Sequence, residues 1–319
     1  MFVAIIFIII GFILLIKGAD FLVDGASNIA KRFHIPEIVI GLTIISIGTS
    51  MPELFVSITS ALDGHSDMAI GNVLGSNICN LLLILGLSSM VQPIIFKKET
   101  RLIETPLCLI ITIIFMILCN IGKEVSRIKG IILIGLFIVF IIYTIIMAFK
   151  GETFDKEEKE KEEKKEEKES KALKDILLII IGIVALKIGG DVTVQNAVKI
   201  AEMFHLSEKI ISVTILAIGT SLPELVTSVS ASAKGKSDIA IGNILGSCIF
   251  NILLIIGVSA LINPIQYNMT YNKDFIILII GTFILSVFPI IPPKNKMSRA
   301  NGFIYLVMYL GYMLTLFKN

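Results

Sequence analysis

Residues 37–62 read EIVIGLTIISIGTSMPELFVSITSAL. The stretch is long and apolar enough to cross a bilayer, yet IGTSMPE, at 47–53 in its middle, carries a glycine, two hydroxyls, a proline and a carboxylate. The chain repeats the phrase at 218–224 as IGTSLPE, an offset of 171 residues. At that offset, and without a gap, residues 18–94 match 189–265 at 39 of 77 positions. The matched pairs include Asp20 and Asp191, Glu53 and Glu224, Asn72 and Asn243, Ser76 and Ser247, Asn80 and Asn251, and Pro93 and Pro264. The chain is built from two copies of one segment, each with an acid at its centre.

Around the repeat, the 319 residues are 55% hydrophobic, with a mean hydropathy of +0.89. Apolar runs of membrane-spanning length recur along the chain, where a soluble domain would show alternating or amphipathic patterning. Ten candidate spans can be read, at about 2–29, 37–62, 67–92, 102–120, 128–149, 174–202, 209–233, 238–262, 274–292 and 300–317. The first has no basic segment before it and no small-residue cleavage site after it, so it reads as a span and not as a cleaved leader. Cys79, Cys108, Cys119 and Cys248 lie in apolar segments without metal-ligand or disulfide spacing, and read as small buried residues. The expected fold class is an all-α polytopic membrane protein.

The segment GETFDKEEKEKEEKKEEKESK at 151–171 cannot enter a membrane, and reads as a solvated helix or disordered linker. It divides the chain into a first five-helix repeat at 1–150, a charged linker at 151–172 and a second five-helix repeat at 173–319. Five is odd, so the second copy enters the membrane from the opposite face. That is an inverted repeat, the plan by which many secondary transporters build one central site reachable from either side. The net charge of +2 says less than its distribution. Lys and Arg number 19 on the side of the loops after odd spans and 7 on the other, or 10 against 7 with the linker set aside. This places the linker in the cytoplasm and both termini outside.

A charged carboxylate at bilayer depth costs several kcal/mol unless something compensates it. Glu53 and Glu224 lie near the middle of their spans, each beside a proline that cannot donate to the carbonyl of Gly48 or Gly219 four residues back. Carbonyls freed in this way are tolerated only where they line an enclosed cavity or meet a ligand. Thr49 and Ser50 stand four and three residues before Glu53, so a continuous helix would put all three on one face. The following spans, with IGNVLGSNICN at 70–80 and IGNILGSCIFN at 241–251, add polar stripes at four-residue intervals: Asn72, Ser76, Asn80 and Asn243, Ser247, Asn251. Their Gly71/Gly75 and Gly242/Gly246 steps permit close helix approach. Asn72 and Asn243, a turn away from the rest, read as structural. Hydroxyl, amide and carboxylate oxygens suit a hard cation such as calcium or sodium, not zinc or copper. Two ionised glutamates are neutralised by one calcium, two sodium ions or two protons, which favours exchange over leak.

The doubled GTSxPE and GNxxGSxxxN segments resemble the α-repeats of sodium/calcium exchangers of the calcium/cation antiporter superfamily. The resemblance runs over roughly residues 10–265. It implies a ten-helix fold with central ion sites lined by spans 2, 3, 7 and 8. It also implies ligands at Thr49, Ser50, Glu53, Thr220, Ser221, Glu224, Ser76, Ser247, Asn80 and Asn251, with backbone oxygens near Ser46 and Ala217. Spans 1 and 6 of such proteins are long, tilted and thought to slide over the core; here they carry Asp20 and Asp191, whose expected role is structural. Some relatives, potassium-dependent exchangers among them, have aspartate at one or both of the positions matching Asn80 and Asn251. Asparagine at both keeps the pocket at two negative charges and argues against potassium co-transport.

The expected function is a prokaryotic plasma-membrane antiporter exchanging sodium for calcium, with one chain sufficient and no cofactor or nucleic-acid partner. Calcium/proton exchange through the same glutamates is the nearest rival. A calcium channel is disfavoured by the inverted repeat, since channels usually gather subunits around a continuous water path. An intramembrane hydrolase lacks a nucleophile–histidine set at depth: His34 and His205 fall at matched loop ends and His65 in a loop, where capping or solvent exposure accounts for them.

Overall fold

The computed structural model describes every residue except 65–66, 155–164, 205–216, 293 and 319. Its helices, numbered to follow the ten expected spans, are α1 (Phe2–Arg32), α2a (Glu37–Thr49) and α2b (Met51–Leu62), α3 (Met68–Val91), α4 (Thr100–Lys123), α5 (Arg127–Phe154), α6 (Lys165–Met203), α7a (Ala217–Gly219) and α7b (Leu222–Ala233), α8 (Ser237–Ile262), α9 (Met269–Val287) and α10 (Arg299–Lys318). Eight of the ten expected spans are long and apolar enough to cross a bilayer among the described residues, counting α2a and α2b, bent by 49°, as one broken span. Residues 209–216 of the seventh lie outside the described set. Helices enter the linker from both sides, α5 reaching Phe154 and α6 starting at Lys165; the rest of the linker, at 155–164, is not among the described residues.

Burial sorts centre from periphery. In the most apolar part of α8, 83% of residues are buried, and in α3 72%, against 17% in α5. Apolar side chains such as Ile128, Val139, Phe283 and Leu310 point outward, as they can where the surroundings are hydrocarbon and every backbone group is satisfied within a helix. Tyr305 reaches inward from α10 and donates to the Gly281 carbonyl of α9 at 2.6 Å.

Two very short antiparallel ladders tie the halves together. Strand β1 (Ile94–Ile95), after α3, pairs with β4 (Lys296–Met297), after α9. Strand β2 (Glu124–Val125), after α4, pairs with β3 (Ile265–Gln266), after α8. One ladder joins two loops that follow odd-numbered spans and the other two that follow even-numbered ones, as a chain crossing back and forth requires. Paired arginines repeat the pattern. Arg127 Nε donates to the Leu261 carbonyl at 3.2 Å, and Arg299 Nε to that of Met90 at 3.0 Å, satisfying the exposed carbonyl ends of α8 and α3.

Helices α1 and α6 lie antiparallel against each other with glycine facing backbone. A Cβ on Gly11 would come within 2.9 Å of the Gly189 carbonyl, and one on Gly18 within 2.9 Å of the Gly182 carbonyl. The reverse contacts are 2.8 Å each. Small residues at this spacing let two helices touch main chain to main chain. At the end of α1 His34 adopts φ 55°, and the Ile35 amide closes the helix on the Ala30 carbonyl at 2.9 Å. The expected capping role of His34 therefore fits; His65 and His205 lie outside the described residues.

Candidate cation site

Both proline motifs break their helices at the serine. Ser50 has φ −85° and ψ 9°, and Ser221 φ −88° and ψ 6°. Pro52 and Pro223 then sit in the first turn of α2b and α7b, where a missing amide hydrogen costs nothing. Glu53 and Glu224 occupy the same first turns. There the unpaired amides and the helix dipole favour negative charge.

The break changes which groups meet. A continuous helix would keep Thr49, Ser50 and Glu53 on one face, but the turn at Ser50 sends its hydroxyl to the other repeat. Ser50 Oγ donates to Glu224 Oε1 at 2.7 Å, and Ser221 Oγ to Glu53 Oε1 at 3.4 Å. Ser76 Oγ of α3 also reaches Glu53 Oε1 at 3.4 Å, and Thr220 stands beside the same carboxylate. Thr49 turns to α8 and donates to Asn243 Oδ1 at 3.1 Å. The two acids therefore share one site through exchanged hydroxyls, at 1% and 0% exposure.

The stripes on α3 and α8 divide as expected. Asn72 Nδ2 donates to the Glu53 carbonyl at 3.3 Å and to Ser57 Oγ at 3.0 Å, and Asn243 Nδ2 to Ser228 Oγ at 2.9 Å. Both asparagines hold helices together. Asn80 and Asn251 instead open π-helical stretches, within Cys79–Ile84 and Asn251–Ile255. Such widened turns are frequent at functional sites. Six buried atoms have no protein partner here: Glu53 Oε2, Glu224 Oε2, both side-chain polar atoms of Asn80, Asn251 Oδ1 and Ser247 Oγ. Buried polar groups are normally paired, so this concentration of unpaired, mostly oxygen atoms fits a cation-binding site. The donor chemistry is almost wholly oxygen, and among the described residues no three His, Cys, Asp or Glu gather as a transition-metal site would need.

The two backbone positions differ from each other. The Ser46 carbonyl already accepts from the Ser50 amide at 3.0 Å and from Thr49 Oγ1 at 3.3 Å. Its hydroxyl is spent on the Leu42 carbonyl at 2.8 Å. In the second repeat the Ser221 amide turns to the Ile218 carbonyl at 3.1 Å, one residue short of Ala217. One inner residue escaped the sequence reading. Asn77, fully buried, touches Cys248, its own counterpart at the offset of 171, so the two lie on the pseudo-twofold axis. The signal was available, since 77 and 248 differ inside otherwise matched motifs.

The two faces of the molecule are not alike. On the far side from the linker, a crevice of about 650 Å³ leads from the surface past Asp191, Gln195 and Asn72 to Thr220. On the linker side Lys234 Nζ, at the end of α7b, bridges Asp20 and Asp24 of α1 at 2.9 Å each. Its counterpart in the first repeat is Asp63, and among the described residues Asp191 pairs only within its own helix, with Lys187 at 2.7 Å.

The model of the family described as sodium/calcium exchanger protein matches residues 3–146 and again 174–318, once in each half. The chain belongs to the sodium/calcium exchanger family. It is thus a membrane antiporter by kinship, of a transporter and not an enzyme family. The similar proteins include sodium/calcium exchanger MaX1 of Methanosarcina acetivorans, 33% identical with 97% of each chain covered, and inner membrane protein YrbG of Escherichia coli, 35% identical over 88% of this chain and 86% of its own. A solved structure of the sodium-calcium exchanger NCX_Mj superposes with a TM-score of 0.85 at 30% identity over 98% of both chains. The whole all-α fold of this family member is therefore that of a known exchanger.

Proposed function

We propose that the protein exchanges sodium for calcium across a prokaryotic plasma membrane by alternating access. Glu53 and Glu224 are the charged ligands; Thr49, Ser50, Thr220, Ser221, Ser76, Ser247, Asn80 and Asn251 supply hydroxyl and amide oxygens. The observation that carries this reading is the pair of buried carboxylates from opposite repeats, each holding the other repeat's serine and each keeping one oxygen unpartnered. A dianionic cage of oxygens is neutralised by one calcium or two sodium ions, which are close in size, whereas magnesium is smaller and keeps its waters. The filled cage can face either side, and the empty one resists the crossing. Backbone oxygens complete the set on the Ala217 side, and on the Ser46 side once that carbonyl exchanges a partner.

With the N-terminus outside, as the basic loops indicate, the crevice beside Thr220 opens to the exterior and the Lys234 bridge closes the cytoplasmic face. One chain contains both walls of the site, so a monomer suffices. The deciding experiment is uptake of isotope-labelled calcium by purified protein in liposomes, under sodium, proton and potassium gradients imposed one at a time. Sodium-driven uptake is expected, with no response to potassium. Uptake that follows only the pH gradient would replace the reading with calcium/proton exchange through the same glutamates.

A further inference from the structure

The two halves of the candidate cation site look equivalent by sequence, yet one residue on the axis makes them unequal. Asn77 Nδ2 donates to the Cys248 carbonyl at 3.1 Å. Asn251 Nδ2 donates to Asn77 Oδ1 at 3.0 Å. The orientation of both amides follows from donor and acceptor inventory alone. A backbone carbonyl only accepts, so the end of Asn77 facing it must be the amino group. That leaves the Asn77 oxygen facing Asn251, and an oxygen can be met only by the Asn251 amino group. Asn251 Oδ1 is then forced to the other side, where it is buried and has no protein partner. By the same symmetry the position that would serve Asn80 belongs to Cys248, whose thiol, a weak donor, meets the Asn77 carbonyl at 3.9 Å and which offers no amide oxygen. Both polar ends of Asn80 are buried and without a partner among the described residues, so none of these decides which end faces the site.

The geometry points to Asn77 as a positioning residue that locks Asn251 as an oxygen donor for the cation and leaves its mirror partner Asn80 unlocked. This rests on the proposed cation site and deepens it: the inverted repeat presents one fixed and one adjustable amide ligand. The fixed oxygen raises affinity because its orientation is settled before the ion arrives. The adjustable amide can turn its nitrogen or its oxygen inward as the charge in the site changes.

The test is equilibrium binding of calcium and of sodium to the purified full-length protein, read in four forms: the wild type, Asn77→Cys, Asn251→Asp and the double variant. Asn77→Cys puts at 77 the residue already present at 248, and is expected to raise the calcium concentration for half-saturation about tenfold, the worth of one oriented hydrogen bond. Asn251→Asp supplies a side chain with oxygen at both ends, which needs no orienting partner. In that background, adding Asn77→Cys is expected to cause no further loss. Asn77→Ala serves as the second variant, with the same pattern expected. An equal loss in both backgrounds would mean that Asn77 only packs the axis, and an unchanged affinity of Asn77→Cys alone would also overturn the inference. If the wild type binds calcium but does not exchange it for sodium, the antiport reading fails while the pattern across the four forms still decides the role of Asn77.

Discussion

A glutamate within the membrane's depth needs partners, and the two here find them in each other's repeat. Removing either charge while keeping its shape is the sharpest prediction at this scale. Glu53→Gln or Glu224→Gln is expected to weaken calcium binding by at least about a hundredfold, since a charged ligand contributes several kcal/mol in such a place and each 1.4 kcal/mol is tenfold. Vesicle uptake measures the loss, and an unchanged elution profile in detergent shows that the fold survives. The serines divide more finely. Ser50 holds Glu224 at 2.7 Å while Ser221 holds Glu53 at 3.4 Å. Ser50→Ala is therefore expected to cost calcium affinity about tenfold and Ser221→Ala clearly less; titration of binding in the two variants checks the order. The glutamates, the hydroxyls and the amides of Asn80 and Asn251 could be picked out from the repeated motifs, whereas the axial amide of Asn77 was not. What spacing could not tell was which serine serves which acid.

That difficulty belongs to the element. Projecting Thr49, Ser50 and Glu53 onto a helical wheel assumes one continuous helix, and the assumption fails where Pro52 begins a new one. The proline signalled the break but not the direction of the turn, which depends on packing between repeats. The steps Gly242 and Gly246 were legible as close approaches and prove so: added Cβ atoms would meet the Ile38 carbonyl at 2.9 Å and the Leu42 carbonyl at 2.7 Å. In the first repeat the expected close approach is not made: a Cβ on Gly71 would meet only the Tyr271 side chain, its hydroxyl at 3.0 Å, and one on Gly75 nothing within 4 Å. Gly246→Val is thus expected to force α2a away from α8 and to cost about 1–3 kcal/mol of stability, visible as a lower midpoint of thermal unfolding in detergent. The widened turns at Asn80 and Asn251 left no mark in the sequence that periodicity could detect, because one extra residue per turn does not alter an apolar pattern that faces inward on all sides.

For the whole molecule, the inverted repeat was legible because the offset is constant over 77 positions, and the cross-repeat ladders follow from it. The inequality between faces could not be read from the repeat, since it lies where the repeats differ. Lys234 has Asp63 as its counterpart, so a clasp that holds on the linker side has no matching one opposite. Burial works against the Lys234 ammonium, but its bonds to Asp24 and Asp20 outweigh this and hold its pKa above the ordinary lysine range. On the alkaline side the clasp is therefore lost only as pH climbs through that raised value. Lys234→Ala is expected to increase labelling of a cysteine placed at Thr227, buried on α7b between Glu224 and the clasp, by a membrane-impermeant thiol reagent applied from the linker side. No change would show that the clasp does not close that path.

The glycine seam between α1 and α6 has a mechanical meaning. With main chain resting on main chain at Gly11, Gly18, Gly182 and Gly189, the two helices are suited to move as one body. In the alternating access proposed above the pair would travel as a single shuttle, and because they run antiparallel across the axis that relates the halves, a stroke that uncovers one mouth would shut the other. Strict reciprocity between two doors would then need no messenger between them: the same moving part would be the bolt of both.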